Sequence, residues 1–168
     1  MKRKIGALII VVLILAAAYI GWSDIWSNRG YEPEQPIPYS HKLHAGDYHI
    51  PCLYCHTHVE RSPHATVPSL NICMNCHGTV AVNKPNIIKL TQAHASGKPI
   101  EWVRIHKIPE HAYFSHQRHI AKGFECAECH GPIETMERVY QYRRLDMGDC
   151  VTCHRDNGGP TSCNTCHQ

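Results

Sequence analysis

The sequence predicts a mostly irregular domain with short α-helices, carried on one N-terminal transmembrane helix. Three observations predict it: an uncharged apolar run at Ile5–Trp22, a shortage of large apolar side chains beyond it, and ten Cys with fifteen His in 168 residues. The hydrophobic fraction of 43% already counts the ten Cys and the apolar run, and only two Phe are present. A small domain with so little core material needs staples such as disulfides, metals or cofactors.

The apolar run comes first. As a helix its 18 residues span about 27 Å, close to the hydrocarbon thickness of a bilayer. Lys2, Arg3 and Lys4 precede it directly, and positive flanks stay cytoplasmic, so the rest of the chain is expected outside the cytoplasmic membrane. Tyr19, Trp22 and Trp26 suit an interfacial aromatic belt. A cleavable signal peptide, with Ala16-Ala17-Ala18 near the cleavage site, is the competing reading, and the length of the run favours retention. Both readings export the domain. The net charge of +3 resides in those three basic residues, and the remaining chain balances 14 basic against 14 acidic residues. That balance gives no electrostatic argument for a nucleic-acid partner.

The expected boundaries are 1–27 for the cytoplasmic tip and anchor, 28–38 for a linker, 39–80 and 111–168 for two related modules, and 81–110 for a connector. Residues 28–38 hold three Pro, a Gly and three charges, the composition of an extended segment. The modules are read from a repeat. Tyr39-Ser40-His41-Lys42-Leu43-His44 precedes Cys52-Leu53-Tyr54-Cys55-His56, and Phe114-Ser115-His116-Gln117-Arg118-His119 precedes Cys126-Ala127-Glu128-Cys129-His130. A further Cys-x-x-Cys-His follows in each copy, at Cys73 and at Cys150, and the second copy carries a fifth at Cys163. Neither a long amphipathic helix nor an alternating strand is evident, and the connector, with Ile87, Ile88 and Leu90 and then Ser96-Gly97-Lys98-Pro99, is expected to be partly irregular.

The five motifs are Cys52/Cys55/His56, Cys73/Cys76/His77, Cys126/Cys129/His130, Cys150/Cys153/His154 and Cys163/Cys166/His167, and they consume all ten Cys. Two Cys three apart lie on one face of a turn and reach the two vinyl groups of one porphyrin, while the adjacent His binds its iron from below. This is the covalent haem c signature. Zinc sites need no His directly after the second Cys, disulfides would not explain the His either, and a thiol-redox pair would need free Cys. The cofactor expectation is therefore five covalently bound haem c groups, with the domain packed around them and the apo-chain unfolded.

Each haem leaves a sixth position. Ten His lie outside the motifs, more than five haems need. The best candidates are His41, His44, His116 and His119, because each pair projects two imidazoles from one turn and the pairs repeat with their context. The fifth ligand is open between Met147, whose thioether would raise the potential, and His106. His49, His58, His64, His94 and His111 are read as structural, surface or propionate-contacting.

The modules resemble the small multihaem class III cytochromes c. The N-terminal anchor, the five motifs, Trp102 to Pro109 leading into Tyr113-Phe114-Ser115-His116, and Met147-Gly148 before Cys150 are together similar to the pentahaem membrane subunit of bacterial alternative complex III. That resemblance covers almost the whole chain from Pro36 to His167. It implies a single-pass protein of a bacterial cytoplasmic membrane with its haem domain on the periplasmic side. The implied role is relaying electrons from quinol oxidation, by iron–sulfur and quinone-binding partner subunits, to a periplasmic cytochrome, copper protein or oxidase. It also implies that His41 caps the His56 haem, that His116 caps the His130 haem, that His44 and His119 reach more distant haems, and that Met147 serves the His154 haem. Asp149 departs from the pattern, where an aromatic residue is expected.

Three functions compete. The first is an electron-relay subunit without an active site of its own. The second is a stand-alone membrane-anchored quinol dehydrogenase feeding periplasmic reductases, disfavoured because Ile5–Trp22 holds no charge for proton handling. The third is a haem enzyme, which requires an iron with an open position.

Overall fold

The computed structural model describes residues 2–167. The side chains of Lys2, Arg3 and residues 23–26 fall outside the described set, so the placement of the Trp26 ring in an aromatic belt lies outside the described residues. Helix α1, Lys2–Trp26, opens the chain. Its stretch Lys4–Trp22 has a mean hydropathy of 2.6 and is long and apolar enough to cross a membrane. The described side chains along it touch no protein core; Leu8 and Tyr19, for example, are exposed.

The domain beyond α1 is a string of short helices, with no strand among the described residues. Every Cys-x-x-Cys turn is helical: α2 (Cys52–Cys55), α3 (Leu70–His77), and later α6 (Cys126–His130), α7 (Met147–Asp156) and α8 (Cys163–Cys166). Local signals fix several of them. Glu125 and Glu128 form a reciprocal capping box on α6, and the Asp146 carboxylate accepts from the Asp149 N–H at 2.8 Å at the start of α7. The connector is helical in one stretch and irregular elsewhere. It contains α4, Pro85–Ala95, begun by a proline at the first turn and packed on α3 through the buried Leu90.

The two repeated His-x-x-His segments differ in backbone. The second opens helix α5, His116–Ala121, as the spacing predicts, whereas the first runs into a π-helical turn, Lys42–Asp47. The wider turn brings Gly46 against the Glu134 carbonyl in the 3-10 turn Ile133–Thr135, where a Cβ has no room. The Lys42 N–H donates to the Met136 carbonyl at 3.0 Å, and Met136 is itself buried.

The segment 28–38 is extended but docked. Gly30 and Tyr31 exchange backbone hydrogen bonds with Gln141 at 2.8 and 3.0 Å, and the Gln35 amide pairs in both directions with the backbone of Val103. Gln141 holds the turn that follows α1. It is 1% exposed, and its amide nitrogen donates to the carbonyls of Ser27, Arg143 and Arg144 at 2.9 to 3.1 Å.

Among the described residues the buried apolar side chains are Ile37, Val59, Leu90 and Met136. At about 25 cal/mol per Å2 so small a set cannot offset the chain entropy of some 140 ordered residues. The side-chain core is as thin as the composition implies.

Candidate haem-binding sites

The ten Cys are unpaired in the structure. They are not uniformly enclosed. Cys52, Cys76 and Cys163 are exposed, and the other members of their motifs, Cys55, Cys73 and Cys166, are half-buried. Beside Cys76 the backbone geometry is local. The chain turns back directly after α3, where the Cys76 carbonyl accepts from the N–H groups of Thr79 and Val80 at 3.1 and 2.9 Å, and no segment covers the thiol. Thioether formation needs access to the sulfur, so an accessible Cys76 is compatible with attachment. Burial raises the thiols of Cys55, Cys73, Cys126, Cys129 and Cys150, the opposite of what a reactive thiolate needs. Among the described residues no three His, Cys, Asp or Glu converge as a metal cluster. The imidazoles instead form facing pairs.

His116 and His130 have ring centroids 6.3 Å apart and planes 4° from parallel. His44 faces His77 at 6.1 Å, and His119 faces His154 at 5.9 Å. Two metal–nitrogen bonds of about 2 Å, plus the half-widths of two rings, put imidazoles on opposite sides of one iron about 6 Å apart. These spacings therefore fit axial pairs.

The second nitrogen of each ring supports the same fit. An imidazole binds iron through Nε2 when its Nδ1–H is held by an acceptor. The Nδ1 of His56 lies 2.9 Å from the Thr66 carbonyl, that of His77 3.1 Å from Val80, that of His154 2.6 Å from Pro160, and that of His167 3.0 Å from His111. Across the candidate haems, His44 Nδ1 meets the Ser40 carbonyl at 2.8 Å, His119 meets Ser115 at 2.8 Å, and His116 meets Pro63 at 2.9 Å. Thr66 holds its carbonyl in place from φ 56°, a region a β-branched residue rarely adopts. A Cβ at Gly159 would meet the His154 ring at 2.9 Å, so a glycine there lets the backbone close on that imidazole. The donor set and its geometry fit haem c.

The repeat is preserved in three dimensions. His41 stands edge-on to Tyr39 at 4.8 Å and 87°, and His116 to Phe114 at 4.8 Å and 89°. His44 stacks on Tyr39 at 4.5 Å, and His119 on Phe114 at 4.4 Å. His41 is pushed down to about 4 by burial and then by His56, which lies close to it. His130 is pushed down to about 4 by burial, then by His106, His116 and His56.

The open candidates fall differently. The His106 ring meets His130 edge-on at 4.4 Å, its Nε2 3.3 Å from His130 Nδ1, so it sits on the edge of His130 that faces away from an iron. Burial lowers its pKa. Met147 is 68% exposed on the first turn of α7. With His119 facing His154, the fourth motif has an imidazole partner without Met147. His111 is 5.6 Å from His167, but its own carbonyl holds His167 Nδ1, which roots it on the proximal side. A ring rooted there cannot reach around a porphyrin to the opposite face.

Asp149, the departure from the expected aromatic, has a partner in Arg143. Their side chains pair at 2.7 and 3.1 Å, and Arg143 also donates to the Glu128 carbonyl at 3.3 Å, clamping α7 to α6.

Residues 112–168 match the family Cytochrome c7 and related cytochrome c. This C-terminal part of the molecule is similar to multihaem cytochrome c domains. Domains of that family bind haem c covalently. Over 152 residues the chain is 30% identical to the menaquinone reductase, multihaem cytochrome c subunit of Nitratidesulfovibrio vulgaris (strain Hildenborough). The match covers 90% of this chain and 66% of that relative, just under two thirds of its length.

Proposed function

We propose that the chain is a membrane-anchored pentahaem electron relay, a subunit of a quinone-linked respiratory or photosynthetic oxidoreductase. The observation that carries this reading is the set of facing imidazoles, His44/His77, His116/His130 and His119/His154, each spaced for one six-coordinate iron. His41, which lies close to His56, is the candidate for a fourth pair, and Met147 remains a candidate sixth ligand. An iron with two protein ligands has no position for substrate, so it only gains and loses electrons.

Haem supplies a reversible one-electron iron couple, and the chain sets where the electron goes. His41 and His44 leave one turn for the first and second haems, and His116 and His119 leave one helix for the third and fourth. Residues three apart on a turn are neighbours, so each pair of haems would be adjacent. The two modules join where the His116 backbone and ring both bind the Pro63 carbonyl. The cysteines of successive motifs neighbour one another in the same sequence: Cys55 is near Cys73 and Cys76, Cys126 near Cys52, Cys129 near Cys153, and Cys150 near Cys166. The inferred path is second–first–third–fourth–fifth, with the second and fifth haems as its ends.

The relative's name joins a multihaem subunit to menaquinone. The resemblance to alternative complex III joins one to quinol oxidation, by iron–sulfur and quinone-binding subunits, with a periplasmic cytochrome, copper protein or oxidase as acceptor. Both support a relay beside a quinone-active partner, with α1 as the anchor in a bacterial cytoplasmic membrane and the haem domain on the outer side.

The test is purification of the tagged chain from native membranes in mild detergent. The expected result is co-purification of quinone-active subunits, haem reduction or oxidation coupled to quinone only in that assembly, and a mass carrying five haems. Robust quinol turnover by the isolated subunit, or carbon monoxide binding to a native haem, would overturn the reading.

A further inference from the structure

Four of the five motif histidines rest their Nδ1 on a backbone carbonyl, and His130 rests its own on a side chain, His106 Nε2, at 3.3 Å. We propose that His106 is a positioning residue for the third-motif haem, fixing the His130 ring and lowering that haem's potential below the value a carbonyl partner would give. This rests on the reading that His130 binds iron.

The direction of the hydrogen bond follows from that reading. If Nε2 of His130 binds iron, the proton lies on Nδ1, so His130 donates and His106 Nε2 accepts. An imidazole nitrogen is a more basic acceptor than an amide carbonyl. It draws the Nδ1 proton harder, makes His130 a stronger electron donor, and favours ferric iron. The edge-on geometry, 88° between planes, points the in-plane lone pair of one ring at the edge of the other.

The His106 ring is committed to this contact. The hydrogen bond beside it, from Arg104 Nε at 3.2 Å, goes to the His106 carbonyl and fixes the backbone, leaving the ring to His130. The neighbouring segment is held independently by the two hydrogen bonds between Gln35 and Val103. The third haem is also the centre of the inferred path, where electrons cross between modules. A partner that shifts this one potential changes the step every electron must take.

The test uses the full-length holoprotein with all five haems confirmed by mass. His106→Phe keeps a ring and removes the acceptor; His106→Gln restores an acceptor through its amide oxygen. Redox titration followed by electron paramagnetic resonance reads each haem. The expected result is an upward shift of one haem in the Phe variant, a smaller shift in the Gln variant, and four unmoved haems. Unmoved potentials, a uniform shift of all five, or equal shifts in both variants would overturn the proposal while leaving the relay intact. A mass lacking haem at Cys126 and Cys129 would sink both.

Discussion

Removing the His119 imidazole gives the sharpest test of the axial pairs. His119 faces His154 at 5.9 Å with planes 38° apart, and both Nδ1 atoms are taken, by the Ser115 carbonyl at 2.8 Å and the Pro160 carbonyl at 2.6 Å. Each ring therefore has only Nε2 left for a metal. In His119→Ala the fourth-motif iron keeps one protein ligand, so one site of five opens to an exogenous ligand. The reduced variant is expected to bind about one carbon monoxide per chain where the parent binds none, with about a fifth of the reduced Soret absorbance changing. The lost stacking on Phe114, at 4.4 Å, costs about 0.5–1.5 kcal/mol beyond the lost ligation, while covalent attachment at Cys150 and Cys153 keeps the haem on the chain. The assay is optical titration of the purified protein. The double variant His116→Ala/His119→Ala is expected to bind about two equivalents, because His116 faces a different motif histidine. No carbon monoxide binding by His119→Ala, together with opening of the fourth-motif haem in Met147→Leu, would refute the pairing.

Four further outcomes follow from the same geometry. Met147→Leu is expected to abolish the optical and paramagnetic signature of one methionine-ligated haem and leave four haems unchanged; an unaltered spectrum would remove Met147 as a ligand. Asp149→Asn, which weakens the charge-assisted pair with the half-buried Arg143, is expected to cost about 1–3 kcal/mol in denaturant titration, and Arg143→Ala at least as much because it also frees the Glu128 carbonyl. In acid, His41 and His130 stay neutral in the fold down to about 4 but protonate near 6.5 when unfolded, so their contribution is full above 6.5 and disappears as the pH falls through 4. Equilibrium unfolding across that window checks the slope, and iron ligation acts in the same direction. Finally, chain made without haem attachment is expected to lack cooperative unfolding by circular dichroism outside α1, because Ile37, Val59, Leu90 and Met136 are too few to fold it.

The chemistry was legible because haem attachment is a local code. Cys, Cys and His must lie within five residues, so each motif declares itself without tertiary information, as does the uncharged run Ile5–Trp22. The repeat of aromatic-Ser-His-x-x-His likewise marked His41, His44, His116 and His119, and Tyr39 and Phe114 hold these rings in matching poses. The helix α4 was less visible, because its 11 residues bury only Leu90 and present a weak apolar stripe.

Which imidazoles face His77 and His154 was decided by tertiary structure alone. His119 and His154 are 35 positions apart, and His106 and His130 are 24 apart; nothing local distinguishes a ring that crosses to an iron from one that backs the opposite edge. The same holds for the contact of Arg143 with both Asp149 and the Glu128 carbonyl, which exists only once α6 and α7 are packed together. Covalent attachment is written in neighbouring residues, whereas axial pairing depends on how distant turns pack, and that packing is a property of the folded chain.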